Sequence, residues 1–185
     1  MAFFKIIYID ACVYISKWDP NSKSRIALLI RLIFFTPGFQ LNLSIRTQQQ
    51  LACIPVIGNV MRRILWYLTT IYFSCDIDTM AHFGPGLYFP HPIGIVIGGE
   101  WDVGNYVSIL QGVTLGRSTV PSRRCRVGDR ALIAAGAKVV GQIDIGEDAR
   151  VGANAVVLRS VPAGATAVGV PARIIMPKSV GDGTF

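Results

Sequence analysis

Histidine and cysteine are scarce in this 185-residue chain. It contains two histidines, His82 and His91, and four widely spaced cysteines that form no Cys-x-x-Cys pair. Without that pair or a group of histidines, the chain lacks the usual ligands of a zinc finger or a multi-histidine site, so we expect no metal. Scattered cysteines in a chain of this length favour reduced thiols over a disulfide framework, and so a cytoplasmic protein.

Charged residues are few and unevenly placed. They make up 16% of the chain, and the formal net charge is +7. Residues 1–75 contain eight Lys or Arg and two Asp, whereas residues 76–185 contain ten Lys or Arg and nine acidic residues. The basic excess therefore belongs to the N-terminal part. Its cations are not interleaved with aromatic residues as in a nucleic-acid interface, so we expect no nucleic-acid partner.

The chain has no long apolar run without charges. Residues 51–73 are apolar but contain Arg62 and Arg63, and residues 26–35 are too short to cross a bilayer. Asp10 interrupts the apolar start, which fits a signal peptide poorly. Two interpretations of the N-terminal helices stay open. The favoured one has them pack on one another or on a partner subunit; the other is peripheral association with the inner membrane surface.

The sequence pattern changes near residue 75. Residues 1–75 are predicted to be helical, with one helix capped by Ser22 or Ser24 and ending near Phe35. A polar connection over residues 42–50 then leads to a second helix from about Gly58 to Phe73. We divide the chain into a helical region (1–75), a repeat domain (76–176) and a C-terminal tail (177–185).

The repeat domain has a period of six residues. The repeated aliphatic positions are Val103, Ile109, Leu115, Val127, Ile133, Val139, Ile145, Val151 and Val157, with one double step after Leu115. A six-residue period fits neither a helix nor a hairpin sheet; it predicts a mainly β fold, a parallel β-helix of roughly four to five coils. In this fold the aliphatic residue points inward, and we expect the small residue after it to turn the corner, where there is no room for bulk or where φ must be positive.

The repeat and its flanking motifs resemble those of a known family. The segments DIDTMAHFGPGLYFPHPIGIVIG (76–98), VSILQGVTLG (107–116) and VGVPARII (168–175) are similar to the hexapeptide-repeat acetyltransferases. Among these enzymes, the serine acetyltransferases and the polysaccharide O-acetyltransferases are the most similar. The resemblance implies a left-handed β-helix, a homotrimer, and acetyl-CoA as co-substrate in a groove between adjacent subunits.

His91 is the predicted general base. A neutral imidazole accepts protons near pH 7, and a hydroxyl becomes a good nucleophile only when its proton is removed. The resemblance implies that His91 takes this proton and that Asp76 orients the His91 ring. His82 precedes the inward residue Phe83, so it is expected to face outward, and we assign it no chemistry.

The resemblance also implies a coenzyme site. Gly116, Ala135 and Ala153 match small residues that let coenzyme A approach the backbone, although a β-helix requires small residues at such positions too. Pro171 and Arg173 match the element near the nucleotide end, and Arg173 or Lys178 is expected to meet the phosphates.

The chain departs from the serine acetyltransferases around the acceptor. Arg123-Arg124-Cys125 stands where those enzymes carry Arg-His-Pro, and Pro90 replaces the acid before the base. Together with Arg117, the arginines Arg123 and Arg124 suit the binding of an anionic or hydroxyl-rich acceptor. Two alternatives stay open: they bind the coenzyme phosphates, or they belong to an ordinary solvated loop.

From these departures the sequence favours an O-acetyltransferase that modifies a sugar hydroxyl in polysaccharide biosynthesis. The alternative is a serine O-acetyltransferase of cysteine biosynthesis. A third hypothesis, of another class, is a non-catalytic β-helix scaffold that binds a partner through its N-terminal helices.

Overall fold

A computed structural model describes residues 3–18, 25–116 and 123–177. These residues form four helices followed by short strands. The helices are α1 (Phe3–Trp18), α2 (Arg25–Phe35), α3 (Pro37–Leu51) and α4 (Ile57–Phe73). The strands are β1 (Asp76–Ile77), β2 (His82–Phe83), β3 (Val96–Ile97), β4 (Trp101–Val103), β5 (Ser108–Ile109), β6 (Thr114–Gly116), β7 (Cys125–Val127), β8 (Leu132–Ile133), β9 (Lys138–Val140), β10 (Arg150–Val151), β11 (Val156–Val157), β12 (Thr166–Val168) and β13 (Arg173–Ile175).

The strands stack into a three-faced solenoid of about four turns. Face 1 contains β1, β3, β6, β9 and β11; face 2 contains β2, β4 and β7; face 3 contains β5, β8, β10, β12 and β13. All pairings are parallel except the last, in which β13 runs antiparallel to β12. A strand that returns to the same face in the same direction after every coil is the geometry of a parallel β-helix.

The predicted six-residue register is confirmed. Leu115 pairs with Val139, which pairs with Val157, and each is at most 1% exposed. The first coil is longer, because Ile77 pairs with Ile97 after two extra residues. At the other end the spacing shortens, since Val161 follows Val157 by four residues and still bridges to Ile145. Inward aliphatic stacking therefore continues through insertions and deletions that the corners absorb.

The predicted role of the small residue after each inward residue is half correct. A Cβ at Gly128 would lie 2.7 Å from the Gly146 carbonyl carbon of the next coil, so bulk is excluded there. A positive φ, however, occurs two residues later. The non-glycine residues that adopt it in the β-helix are Tyr106, Arg130, Asp148 and Asn154. Close coil-to-coil approach and backbone reversal are thus separate requirements at separate positions.

The helices differ from the prediction in one respect. The polar stretch 42–50, expected to connect two helices, belongs to helix α3, which begins directly at Pro37, where a proline fits the first helical turn. Its polar residues Asn42 and Arg46 are buried against the β-helix and hydrogen-bonded there. Helix α4 confirms the predicted second helix to within two residues. The predicted caps, Ser22 and Ser24, lie outside the described residues.

The helices are fixed to the first coil by a buried ion pair. Arg46 of α3 donates from Nε to Asp10 Oδ2 of α1 at 2.9 Å, and both side chains are at most 2% exposed. Arg46 also donates to the carbonyl oxygens of Phe83 and Gly84, while Asp10 accepts from the N–H groups of Gly86 and Leu87. Burial raises the pKa of Asp10, and Arg46 with these N–H groups opposes that rise.

No single helix within the described part of the chain is long and apolar enough to cross a membrane. The segments Ala27–Phe35 and Pro37–Leu51 reach that length and composition only together, and they meet at an angle of 77°.

Candidate active site

His91 lies on the surface, where the hexad register slips. It follows the buried Phe89 by two residues and precedes the buried Ile95, but its own side chain is exposed. Its carbonyl oxygen accepts a hydrogen bond from the Ile93 N–H at 2.9 Å, which closes a tight turn. The ring is therefore accessible to a substrate and is not part of the interior.

His91 shares one edge of the β-helix with two of the predicted coenzyme residues. Backbone hydrogen bonds link this edge from coil to coil: Gly112 N–H to Ile93 O, Gly136 N–H to Gln111 O, and Asn154 N–H to Ala135 O, at 2.8 to 2.9 Å. We call this edge, which precedes face 1, the His91 edge. Ala135 and Ala153 lie along it, and coil spacing puts Ala153 about 14 Å beyond Ile93.

The C-terminal element closes the far end of the same edge. The Ala172 N–H donates to Val156 O at 2.8 Å, and the Val156 N–H donates to Gly169 O at 3.0 Å. Pro171 and Arg173, both exposed, flank Ala172. His91 and four of the five predicted coenzyme residues thus follow one line on the surface, the arrangement that an extended ligand requires.

Asp76 also lies next to the His91 edge. It opens face 1 in β1, pairs with Val96 and is exposed. The Gly94 N–H donates to Ser74 O at 3.1 Å, so the turn that carries His91 lies beside the segment leading to Asp76. Both side chains are among the described residues, and no hydrogen bond joins the His91 ring to the Asp76 carboxylate. The pairing that the resemblance implies therefore stays a prediction.

The N-terminal helices hold the chain just before His91. The Tyr14 hydroxyl of α1 donates to Phe89 O at 3.3 Å and accepts from the Phe89 N–H at 3.0 Å. Asn42 of α3 donates from Nδ2 to Leu87 O at 2.6 Å. Sequence reasoning missed these positioning residues. The one signal in the sequence was that Tyr14 and Asn42 each place a polar group between apolar neighbours.

Gly116, Arg123 and Arg124 lie at the opposite edge of face 1 from His91. Gly116 ends β6, and Arg123 and Arg124 precede β7, so all three follow face 1, whereas His91 precedes it. Arg117 lies outside the described residues. Within one chain the structure thus separates Arg123 and Arg124 from the predicted base.

The two described loop arginines form ion pairs with aspartates. Arg123 donates to Asp144 Oδ1 at 2.9 Å, and this contact lowers the pKa of Asp144. Arg124 donates from Nε to Asp102 Oδ1 at 2.7 Å, and the same oxygen contacts His82 Nδ1 at 2.9 Å. His82 faces outward as predicted; its pairing with Asp102 was not anticipated, because these residues lie one coil apart. Both arginines are oriented by carboxylates and remain partly exposed.

A cleft of about 620 Å³ lies elsewhere, between α1 and face 3. Lys17, Arg130 and Arg150 line it, but His91 does not. Arg130 is already paired with Asp148 at 2.7 Å and with Glu147.

Comparison with known proteins identifies the repeat. Residues 124–159 match the family model "Bacterial transferase hexapeptide (six repeats)". Over 184 residues the chain is 36% identical to a serine acetyltransferase of Synechococcus elongatus, covering 96% of this chain and 70% of that protein. A serine acetyltransferase of Mycobacterium tuberculosis is 49% identical over 120 residues, which cover 64% of this chain and 52% of that protein.

Solved structures agree with the sequence relatives. The Neisseria gonorrhoeae serine acetyltransferase in complex with serine superimposes with a TM-score of 0.80 at 32% identity, covering 94% of this chain and 69% of that one. A serine acetyltransferase in complex with CoA gives a TM-score of 0.80 at 35% identity, with coverage of 94% and 69%. The implied fold, a left-handed parallel β-helix with N-terminal helices, is confirmed. This chain is an acyltransferase that belongs to the serine acetyltransferase family.

Proposed function

We propose that the protein transfers the acetyl group of acetyl-CoA to the hydroxyl of L-serine. The observation that carries the proposal is the exposed His91 ring, which starts a line of small residues along one edge of a family member's β-helix. The sequence alone favoured a sugar hydroxyl. The relatives support the alternative, because the proteins compared above are named serine acetyltransferases.

The reaction follows from a base beside a bound thioester. His91 removes the hydroxyl proton of serine as the oxygen attacks the thioester carbonyl carbon. Backbone N–H groups at the corners stabilise the oxyanion that forms. The intermediate collapses by breaking the carbon–sulfur bond, and the imidazolium returns the proton to the coenzyme A thiolate. The products are O-acetylserine and coenzyme A.

We propose that Asp76 positions the His91 ring and stabilises the imidazolium. In the proposed complex Ala135, Ala153, Pro171 and Arg173 of one subunit and Gly116 of the next line the coenzyme path. Arg123 and Arg124 lie at the opposite edge of face 1 from His91, so a homotrimer would let these arginines of one subunit approach the His91 edge of the next. Arg117, Arg123 and Arg124 would then contact the acceptor or the coenzyme phosphates.

The decisive assay measures free thiol released from acetyl-CoA with and without L-serine. We expect serine-dependent release well above hydrolysis. His91→Ala should lower kcat about 100-fold or more with the oligomer mass unchanged. His82→Ala is the matched control and should retain most activity. Near-normal turnover by the His91 variant would remove His91 from the base role.

A sugar hydroxyl is the second candidate acceptor, and Arg124 is the specific observation that favours it. Its guanidinium, held by Asp102, occupies the position where serine acetyltransferases carry a histidine, and Pro90 replaces an acid. Acetyl transfer to sugar nucleotides without any serine-dependent thiol release would reverse our choice. Arg124→His with Pro90→Asp should raise serine turnover if these departures weaken serine binding.

A further inference from the structure

The side chain of Arg124 is held by three contacts on the first two coils. Its Nε donates to Asp102 Oδ1 at 2.7 Å, and its Nη2 donates to the carbonyl oxygens of Trp101 at 3.1 Å and Met80 at 3.2 Å. The remaining nitrogen, Nη1, makes no hydrogen bond within the part of the chain that the structure describes. The guanidinium is therefore fixed on one side and has free donors on the other.

Asp102 is placed for this contact by the side-chain alternation of β4. Trp101 and Val103 are buried, so the Asp102 carboxylate between them points outward, one coil before Arg124. The Arg124 and Asp102 side chains are 39% and 41% exposed. An ion pair this exposed contributes little to folding stability. Stability thus does not explain why Arg124 is held at three points, and orientation of its guanidinium does.

The two arginines that precede β7 are held in opposite directions along the β-helix. Arg123 donates to Asp144, which lies one coil later. Arg124 reaches back as far as Met80, which lies between β1 and β2 in the first coil. That first coil ends at the turn that carries His91. The guanidinium of Arg124 therefore lies near the level of His91 along the β-helix, at the other edge of face 1.

A homotrimer brings residues of the same level together. Rotation about a three-fold axis parallel to the β-helices moves a residue around the axis and not along it. Arg124 of one subunit therefore approaches the His91 edge of the next near the level of His91 itself, where the acceptor hydroxyl must lie. Arg173, which is expected to meet the coenzyme phosphates, belongs to the element that closes the far end of that edge.

We propose that Asp102 is a positioning residue, which holds Arg124 so that its free end binds an anionic group of the acceptor in the site of the adjacent subunit. Guanidinium N–H groups match the oxygens of carboxylates and phosphates. In L-serine this group is the carboxylate, and in a sugar nucleotide it is the diphosphate. The assignment rests on the proposed function, because it requires an acceptor bound beside His91 between two subunits.

Steady-state kinetics of Asp102→Ala, with the acceptor that the wild type uses, test the proposal. We expect the KM for the acceptor to rise about 10-fold, while kcat and the KM for acetyl-CoA stay within about twofold. Arg124→Ala should raise the acceptor KM at least as much. The double variant should be no worse than Arg124→Ala alone, because Asp102 acts only through Arg124. Additive losses in the double variant would contradict this role.

Asp148→Ala is the matched control. It removes an aspartate that pairs with Arg130 at similar exposure, beside the cleft on face 3. A second control, His82→Ala, removes the other side chain that contacts Asp102 Oδ1 and leaves the Arg124 contact in place. Both controls should keep the wild-type KM for the acceptor, and thermal melts should show every variant folded. An unchanged acceptor KM in Asp102→Ala overturns the proposal, as does an equal rise in either control.

The same assays separate this proposal from the choice of serine. Turnover of a sugar nucleotide without serine-dependent thiol release overturns serine as the acceptor, and the KM for the sugar nucleotide then tests Asp102. Absence of wild-type turnover with both acceptors overturns both proposals. A higher KM for acetyl-CoA alone would assign Arg124 to the coenzyme phosphates. A lower oligomer mass of Asp102→Ala and Arg124→Ala would assign it to a contact with the neighbouring subunit. Either result overturns the proposal.

Discussion

The Tyr14 hydroxyl both donates to and accepts from the backbone of Phe89, two residues before His91. Tyr14 is fully buried, and burial raises the pKa of its hydroxyl above the ordinary value. The hydroxyl therefore stays protonated and can make both contacts. The N-terminal helix is thus connected directly to the turn that carries the predicted base.

Tyr14→Phe should reduce catalysis more than binding. The change leaves the Phe89 N–H and carbonyl without this partner, which costs about 1–3 kcal/mol of folding free energy. The following turn would be held less firmly, so we expect kcat to fall several-fold while KM for acetyl-CoA changes little. Urea denaturation and steady-state kinetics measure the two effects. An unchanged kcat in the folded variant would limit Tyr14 to a stabilising role.

Arg46→Ala should be strongly destabilising. It removes the partner of a buried carboxylate and leaves the carbonyl oxygens of Phe83 and Gly84 unpaired. Breaking a buried pair from one side costs about 3–5 kcal/mol. Arg159→Ala, on the exposed surface, is the control and should change stability by less than about 0.5 kcal/mol. Similar denaturation midpoints for the two variants would contradict the importance of the Asp10–Arg46 pair.

Gly116→Ala separates a coenzyme role from a structural one. A Cβ there would lie 3.3 Å from Val140 Cγ2, a contact that a small side-chain shift relieves. We expect stability to change by less than about 0.5 kcal/mol, while KM for acetyl-CoA rises.

Gly128→Ala is the structural comparison for Gly116. Its Cβ would overlap the backbone of Gly146 and Glu147 in the next coil, which cannot shift so easily. Overpacking of this kind costs about 1–3 kcal/mol. If Gly116→Ala instead lowers stability as much as Gly128→Ala and leaves KM unchanged, Gly116 is only a structural residue.

The Asp129–Asn105 contact should make stability depend on pH. Asp129 accepts from the Asn105 backbone N–H at 2.9 Å and from its amide at 2.8 Å, and the backbone contact lowers the pKa of Asp129 most. A carboxylate with a lowered pKa stabilises the fold above its ordinary pKa of 3.8, and the contribution disappears as the pH falls below it. Asp129→Asn should cost about 1 kcal/mol at neutral pH and little in strong acid. Parallel denaturation curves across that range provide the measurement; a constant difference would contradict it.

The local sequence pattern was sufficient to predict the β-helix. Inward residues such as Leu115 and Val139 recur because side chains alternate between the two sides of each short strand, and that alternation is set by the backbone alone. The positive φ at Tyr106 and Arg130 was not predictable from residue type, since neither residue favours that conformation.

The sequence by itself determined the repeat and its register. Only the tertiary structure decided which distant residues meet: Tyr14 with Phe89, Arg46 with Asp10, and Arg124 with Asp102. It also put Arg123 and Arg124 at the opposite edge of face 1 from His91 and turned the apolar side of α4 outward. The physical reason is that a periodic pattern records which side of its own element a residue occupies. The partner across the fold depends on how helices and coils pack, and no local period records that.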